Sequence, residues 1–327
     1  MDERHLSRRG FLVGGSTALA LTLAGCGGSG DGTIVDPVAT WTRLPDLPAP
    51  RTEVAAAEFQ GLLVVAGGYD AAGASSASVV AFSPTPRRWN ALTPLPAGRN
   101  HLALASVAGR LFAVAGYGPP DNNPAPTTDL WEYDAAAFVW RSRAPLPLAR
   151  AAHAAVALGG KLYVVGGVGP SAAATFAYDP VVDSWSQRAP IPTAREHLAA
   201  APLPDGRLLA VGGRVGVTNL AAAEIYDPAQ DRWQAAAALP LARSGLTAAT
   251  VNGQVYVTGG ETLDGSGTTF GRLDIFTPGT GFWTEGPALP IARHGLGSVE
   301  YQGRFYVFAG GPVAGLSVSA VAEVFGF

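Results

Sequence analysis

A single cysteine, Cys26, stands in 327 residues, so no disulfide within the chain can staple the fold. Lysine is almost absent, with Lys161 the only one, and charged residues make up 14% of the chain. No basic run exists to neutralise a phosphate backbone, which argues against nucleic acid as a partner. Long hydrophobic runs are also missing. The most apolar segment, Phe11 to Gly25, has fifteen residues broken by Gly and Thr. A membrane-spanning helix needs about 20.

That segment reads as a secretory leader. Arg4, Arg8 and Arg9 precede it, and Ser7-Arg8-Arg9-Gly10-Phe11-Leu12 resembles a twin-arginine export signal. It ends in Leu23-Ala24-Gly25-Cys26, which resembles a lipobox. The expectation is a signal peptide over 1–25, lipid attached to Cys26, and a flexible spacer over 26–32 before a domain spanning 33–327. The protein would then sit outside the cytoplasm, held to the cell envelope by lipid. Without its leader the chain keeps 19 basic and 23 acidic side chains, a net charge of −4.

What the sequence has in abundance is Gly, Pro and a repeat. The 42 Gly and 26 Pro fall mostly at regular offsets and mark turns. Trp41, Trp89, Trp140, Trp185, Trp233 and Trp283 recur at steps of 48, 51, 45, 48 and 50 residues. Each leads through a Pro-rich turn to an Arg: Arg51, Arg99, Arg150, Arg195, Arg243 and Arg293. Two apolar runs then flank a polar turn and end at Gly68, Gly116, Gly167, Gly213, Gly260 or Gly310. A period of this size made of short strands marks a repeat architecture with one continuous core.

The third unit shows the pattern. Ala151–Leu158 is expected as a strand, Gly159-Gly160 as a hairpin turn, and Lys161–Val165 as the second strand. Ala174–Asp179 follows as the third, and Trp185 opens a fourth that ends at Ala189-Pro190. The Gly before each repeated Gly is replaced by Ala115 and Ala309, so only the second position is expected to need a positive φ.

These residues resemble the kelch-repeat family over 41–327, through Arg150-x-x-His153, Lys161-Leu-Tyr-Val-Val-Gly-Gly167, Tyr178-Asp-Pro180 and Trp185. The resemblance implies an all-β fold, a six-bladed β-propeller. The sixth unit has no Trp after its third strand, and Trp41 has no blade before it. The N-terminal segment should therefore supply the outer strand of the last blade and leave no open sheet edge.

The repeated Arg and Trp are structural, because no catalytic group is needed six times around a ring. Function is expected where the repeats differ. Two residues after each Arg stand Glu53, His101, Ala152, His197, Gly245 and Gly295. One residue after each repeated Gly stand Tyr69, Tyr117, Val168, Arg214, Glu261 and Gly311. In kelch propellers both loop sets open onto one end of the central channel. The resemblance thus implies a ligand site of Glu53, Tyr69, His101, Tyr117, His197, Arg214 and Glu261, suited to a small polar or sugar-like ligand or a short peptide.

No cofactor and no metal are expected. His101 and His197 have a blade between them and would have to reach across the channel mouth. His153 is taken as a packed core residue. Copper oxidase chemistry of the kind some kelch propellers perform needs a Cys inside the propeller, and none is there. The first functional expectation is a monomeric, membrane-anchored module binding a protein or glycan at the channel end. The alternative resembles kelch-type sialic acid mutarotases. In that case Glu53 or Glu261 and His101 or His197 are candidate catalytic acid and base, and Arg214 is the candidate partner of a sugar carboxylate. An enzyme requires Arg214 and a carboxylate to converge in a concave pocket; a binding module tolerates a broad, flat surface.

Overall fold

A computed structural model describes residues 39–121 and 123–326. The leader, Cys26 and the spacer lie outside the described residues. Six four-stranded antiparallel sheets are arranged as blades around a central axis. The inner strands are Ala55–Phe59, Ala103–Val107, Ala154–Leu158, Ala199–Pro202, Ser244–Val251 and Gly297–Tyr301, in blades I to VI. Each contacts the inner strand of the next blade, and blade VI returns to blade I. The chain is a six-bladed β-propeller. Among the described residues no helix is long and apolar enough to cross a membrane.

Blade III follows the pattern read from the sequence, with one difference. Its second strand is Lys161–Val165, its third Thr175–Asp179 and its fourth Ser184–Arg188. The first strand starts at Ala154, not Ala151, because Ala152 adopts φ +52° and breaks the extended chain. The second and third strands are apolar on both faces because each sheet is sandwiched between neighbours.

Closure occurs as the repeat count required. Thr40–Arg43 pairs antiparallel with Ala322–Gly326, with Trp41 opposite Phe325. In every blade the outer-strand Trp stacks on the third-strand aromatic at 5.0–5.2 Å between ring centroids. Each indole N–H also donates to a backbone carbonyl in the turn of the preceding blade, as Trp185 does to Ala144 at 2.8 Å. One Trp per repeat thus seals its own blade and hooks the one before it.

The six repeated Arg are buried under these turns. The guanidinium groups of Arg51, Arg150, Arg195 and Arg243 donate to the carbonyl of the first Gly of the pair, as Arg51 does to Gly67 at 2.9 Å and Arg195 to Gly212 at 2.7 Å, whereas Arg99 bonds Gly98 O and Arg293 bonds Val321 O. The compensating group differs around the ring. Arg195, Arg243 and Arg293 face Glu224, Asp274 and Glu323 at 2.5, 2.9 and 2.7 Å. The equivalent third-strand positions of blades I to III are Val80, Trp131 and Phe176. Arg99 lies over Trp131 at 4.8 Å, with Asp129 beside it, and Arg150 lies over Phe176 at 5.6 Å. Half of the ring therefore holds its Arg by charge pairing from the third strand, and the other half presents an apolar or aromatic side chain there.

Both residues of the Gly pair have positive φ, contrary to the sequence-based expectation. The second lies at +91° to +115° in all six blades, and a Cβ there would fall 2.4–2.9 Å from a carbonyl of its own blade. The first lies at +48° to +73°, including Ala115 at +48° and Ala309 at +57°. That is the left-handed region an Ala can enter at modest cost. Each Gly at the first position is covered by a Leu of the next blade: Leu102, Leu198, Leu246 or Leu296. After Ala115 and Ala309 the next blade carries His153 and Val54 instead. A methyl on one side is matched by the loss of Leu on the other.

Candidate functional site at the channel mouth

Two residues after each Arg, the chain turns through a left-handed conformation. Glu53, His101, Ala152, His197, Gly245 and Gly295 all have φ between +51° and +65°. Their backbones join in a ring around the axis. His101 N–H donates to Glu53 O, Ala152 to His101, His197 to Ala152, Gly245 to His197 and Gly295 to Gly245, at 2.9–3.1 Å. At the seam between first and last blades the donor shifts to Val54, 3.4 Å from Gly295 O. This ring narrows one end of the channel and brings six side-chain positions close to the axis.

The second set of loops lies directly beside it. In each blade the residue after Arg pairs with the residue after the Gly pair: Thr52 with Tyr69, Asn100 with Tyr117, Ala151 with Val168, Glu196 with Arg214, Ser244 with Glu261 and His294 with Gly311. All seven residues singled out in the sequence meet here. Glu53 Oε2 is 3.3 Å from His101 Nε2. The rings of His101 and His197 are 4.8 Å apart, and Tyr69 and Tyr117 stand edge-on to His101 at 5.7 and 5.4 Å. Arg214 binds His197 Nε2 and Glu261 Oε1, both at 3.0 Å.

His101 and His197 do meet, although blade III lies between them. Blade III offers only the methyl of Ala152 at this level, so the two imidazoles close over it. Glu53, His101 and His197 each place one possible ligand atom within 4.8 Å of the others.

Three participants come from a column the sequence reading passed over, the residue directly after each Arg. Glu196 accepts from Arg214 Nε at 3.2 Å. Asn100 Oδ1 is 2.5 Å from His101 Nδ1. His294 places Nε2 3.7 Å from Glu53 and 3.6 Å from Glu261. The column reads Thr52, Asn100, Ala151, Glu196, Ser244, His294, and that variation was the available signal.

Burial governs the electrostatics. It raises the Glu53 carboxyl to about 6, against a lowering by His294. Burial, then repulsion from Arg214, drops His101 to about 3. His197 is held well below the usual imidazole range by burial and by His101. Both imidazoles are therefore neutral. Burial raises the Tyr117 hydroxyl to about 12. Arg214 is not a solvated rim residue: its donors already serve Glu196, His197 and Glu261. Beneath the ring lies a cavity of about 160 Å³ lined by Glu53, His101, His153, His197 and small inner-strand residues.

Residues 50–96, 149–192 and 197–240 each match the kelch motif. The fold is similar to the solved structure of YjhT, with a TM-score of 0.75, 17% identity, and coverage of 85% of this chain and 95% of that one. At that identity the likeness is one of fold. No protein of curated function matches the sequence.

Proposed function

We propose that this propeller is an exported envelope lipoprotein, anchored through Cys26, whose channel mouth binds a small polar ligand of carbohydrate type and interconverts its forms. The observation that carries the catalytic part is the convergence of Arg214 with Glu261 at 3.0 Å, beside Glu53, His101 and His197, in a concave mouth. That arrangement matches what an acid–base isomerase requires and not a broad flat surface. A cyclic sugar opens when one group takes the anomeric hydroxyl proton and another protonates the ring oxygen. Glu53 or Glu261 with His101 or His197 supplies such a pair. Tyr69 and Tyr117 offer ring faces or hydroxyls at the entrance.

A second reading is favoured by one feature, the pairing of Arg214 with two carboxylates of the protein. A substrate carboxylate would compete with Glu196 and Glu261 for it. A pre-paired mouth suits binding without turnover. Exchange NMR of sugar anomers separates the two. Faster anomer interconversion with the purified protein, lost in Glu261→Gln, supports the isomerase. Saturable binding with unchanged interconversion leaves the binding module.

A further inference from the structure

We propose that the channel mouth is a binding site for a divalent first-row metal ion, zinc by its donor set, with Glu53, His101 and His197 as ligands. The inference does not depend on which organic ligand, if any, the mouth accepts.

The argument begins with hydrogen-bond direction. Asp121 accepts the hydroxyl proton of Ser75, whose oxygen accepts Asn100 Nδ2–H at 2.9 Å. Asn100 must then present its carbonyl oxygen to His101, so Nδ1 of His101 carries the proton. With Nδ1 committed to Asn100, the nitrogen of His101 that faces Glu53 Oε2, at 3.3 Å, is Nε2. His294 stands on the other side of Glu53: its Nδ1 donates to the carbonyl of Gly311 at 3.1 Å, and its Nε2 lies 3.7 Å from Glu53 and 3.6 Å from Glu261. Glu261 Oε2 meanwhile accepts from Gly315 N–H at 2.8 Å.

An acceptor thus points at an acceptor. The His101 Nε2 lone pair meets the oxygens of Glu53, and the Arg214 guanidinium alongside is turned toward Glu196, Glu261 and His197. Lone pairs held together in a buried mouth need an electrophile between them. A proton on Glu53 satisfies one contact; a metal ion satisfies several.

The geometry fits the ion. Ligand atoms about 2.1 Å from a tetrahedral zinc lie roughly 3.4 Å from one another, and Glu53 Oε2 and His101 Nε2 are already 3.3 Å apart. His197 completes the set through Nε2, which now accepts from Arg214 at 3.0 Å and which the guanidinium must release to the ion; its Nδ1 then carries the proton, 3.7 Å from Glu196 Oε1. Two nitrogens and one carboxylate oxygen leave a fourth position open towards the cavity, the arrangement of a zinc ion that takes a water or a substrate oxygen. The Asn100–His101 bond is the kind of outer contact that fixes a ligating imidazole.

Calorimetric titration of the chelator-treated full chain with zinc chloride, and with cobalt(II) for its visible spectrum, tests this. One ion per chain is expected, with a raised melting temperature and a tetrahedral cobalt spectrum. His101→Ala and Glu53→Gln should abolish that stoichiometric binding, and Asn100→Ala should weaken it about 10–100-fold. Glu300→Gln, which alters a carboxylate that is neither in the ligand set nor in the lining of this cavity, should leave it intact. If the wild-type chain shows no stoichiometric zinc or cobalt, the proposal is wrong and Glu53 holds a proton instead. Binding that persists undiminished in both His101→Ala and Glu53→Gln overturns it equally. Sugar interconversion that survives chelation would leave the isomerase reading standing while separating it from the metal.

Discussion

Trp41 and Phe325, at opposite ends of the described chain, sit opposite each other in one sheet with their rings 5.2 Å apart. The same Trp donates its indole N–H to Pro287 O at 2.8 Å, which ties the closing strand to blade V as well. Ring closure in this protein is a contact between the first blade-forming strand and the last.

Trp41→Ala should therefore cost more than its partial exposure suggests. The expected loss is about 3 kcal/mol, read as several degrees in thermal melting. A melting temperature equal to wild type would show that blade VI closes without the Trp41 ring.

Arg195→Ala should be far more damaging than Glu224→Leu. Removing the Arg leaves Glu224 buried without its cation, at about 3–5 kcal/mol. Glu224→Leu recreates in blade IV what blade I already has, a buried Arg with an aliphatic residue, Val80, at that third-strand position and carbonyl partners for the guanidinium. Denaturant titration of both variants decides this, and equal losses would contradict it.

Gly166→Ala places a methyl 2.8 Å from both the Leu198 side chain and the Arg195 carbonyl oxygen, whereas Gly167→Ala places one 2.7 Å from the Ala151 carbonyl oxygen and from His153 Cβ. Adding Leu198→Val should rescue part of the first loss, as Val54 accompanies Ala309 in the native chain. No trimming of Leu198 should rescue the second. Melting curves of the four proteins test the Gly–Leu complementarity directly.

His153 lines the channel with both ring nitrogens unpartnered, and burial, aided by Arg150, lowers it to about 3. Its folded value lies below its unfolded value of 6.5, so the unfolded chain binds the extra proton between the two. Stability should fall as pH drops from 6.5 towards 3, by about 2 kcal/mol at pH 5 from this group alone. His153→Leu, which restores the side chain of four other blades, should remove that part of the pH dependence. Parallel pH–stability profiles for wild type and variant would count against it.

Cys26→Ala should abolish incorporation of a radioactive fatty acid and release the protein from membranes or leave it unprocessed. Label retained in the variant would exclude Cys26 as the lipid site.

The sequence alone determined the blade count, the strand order and the closing strand. Each depends on a short-range pattern repeated six times, and periodicity averages out local ambiguity. It also located seven of the residues at the mouth, because aligning the repeats exposes positions that break the pattern. It did not locate Asn100, Glu196 or His294, whose role comes from the cross-strand pairing of their column with the loop residues. Nor did it show that Ala115 and Ala309 share the left-handed backbone of glycine, since that rests on a Leu missing from the neighbouring blade. Which imidazoles meet, and which lone pairs face one another, is decided only when six left-handed turns close into one ring. Distance across the axis is set by the smallest side chains there, Ala152, Gly245 and Gly295, and no single repeat contains that information.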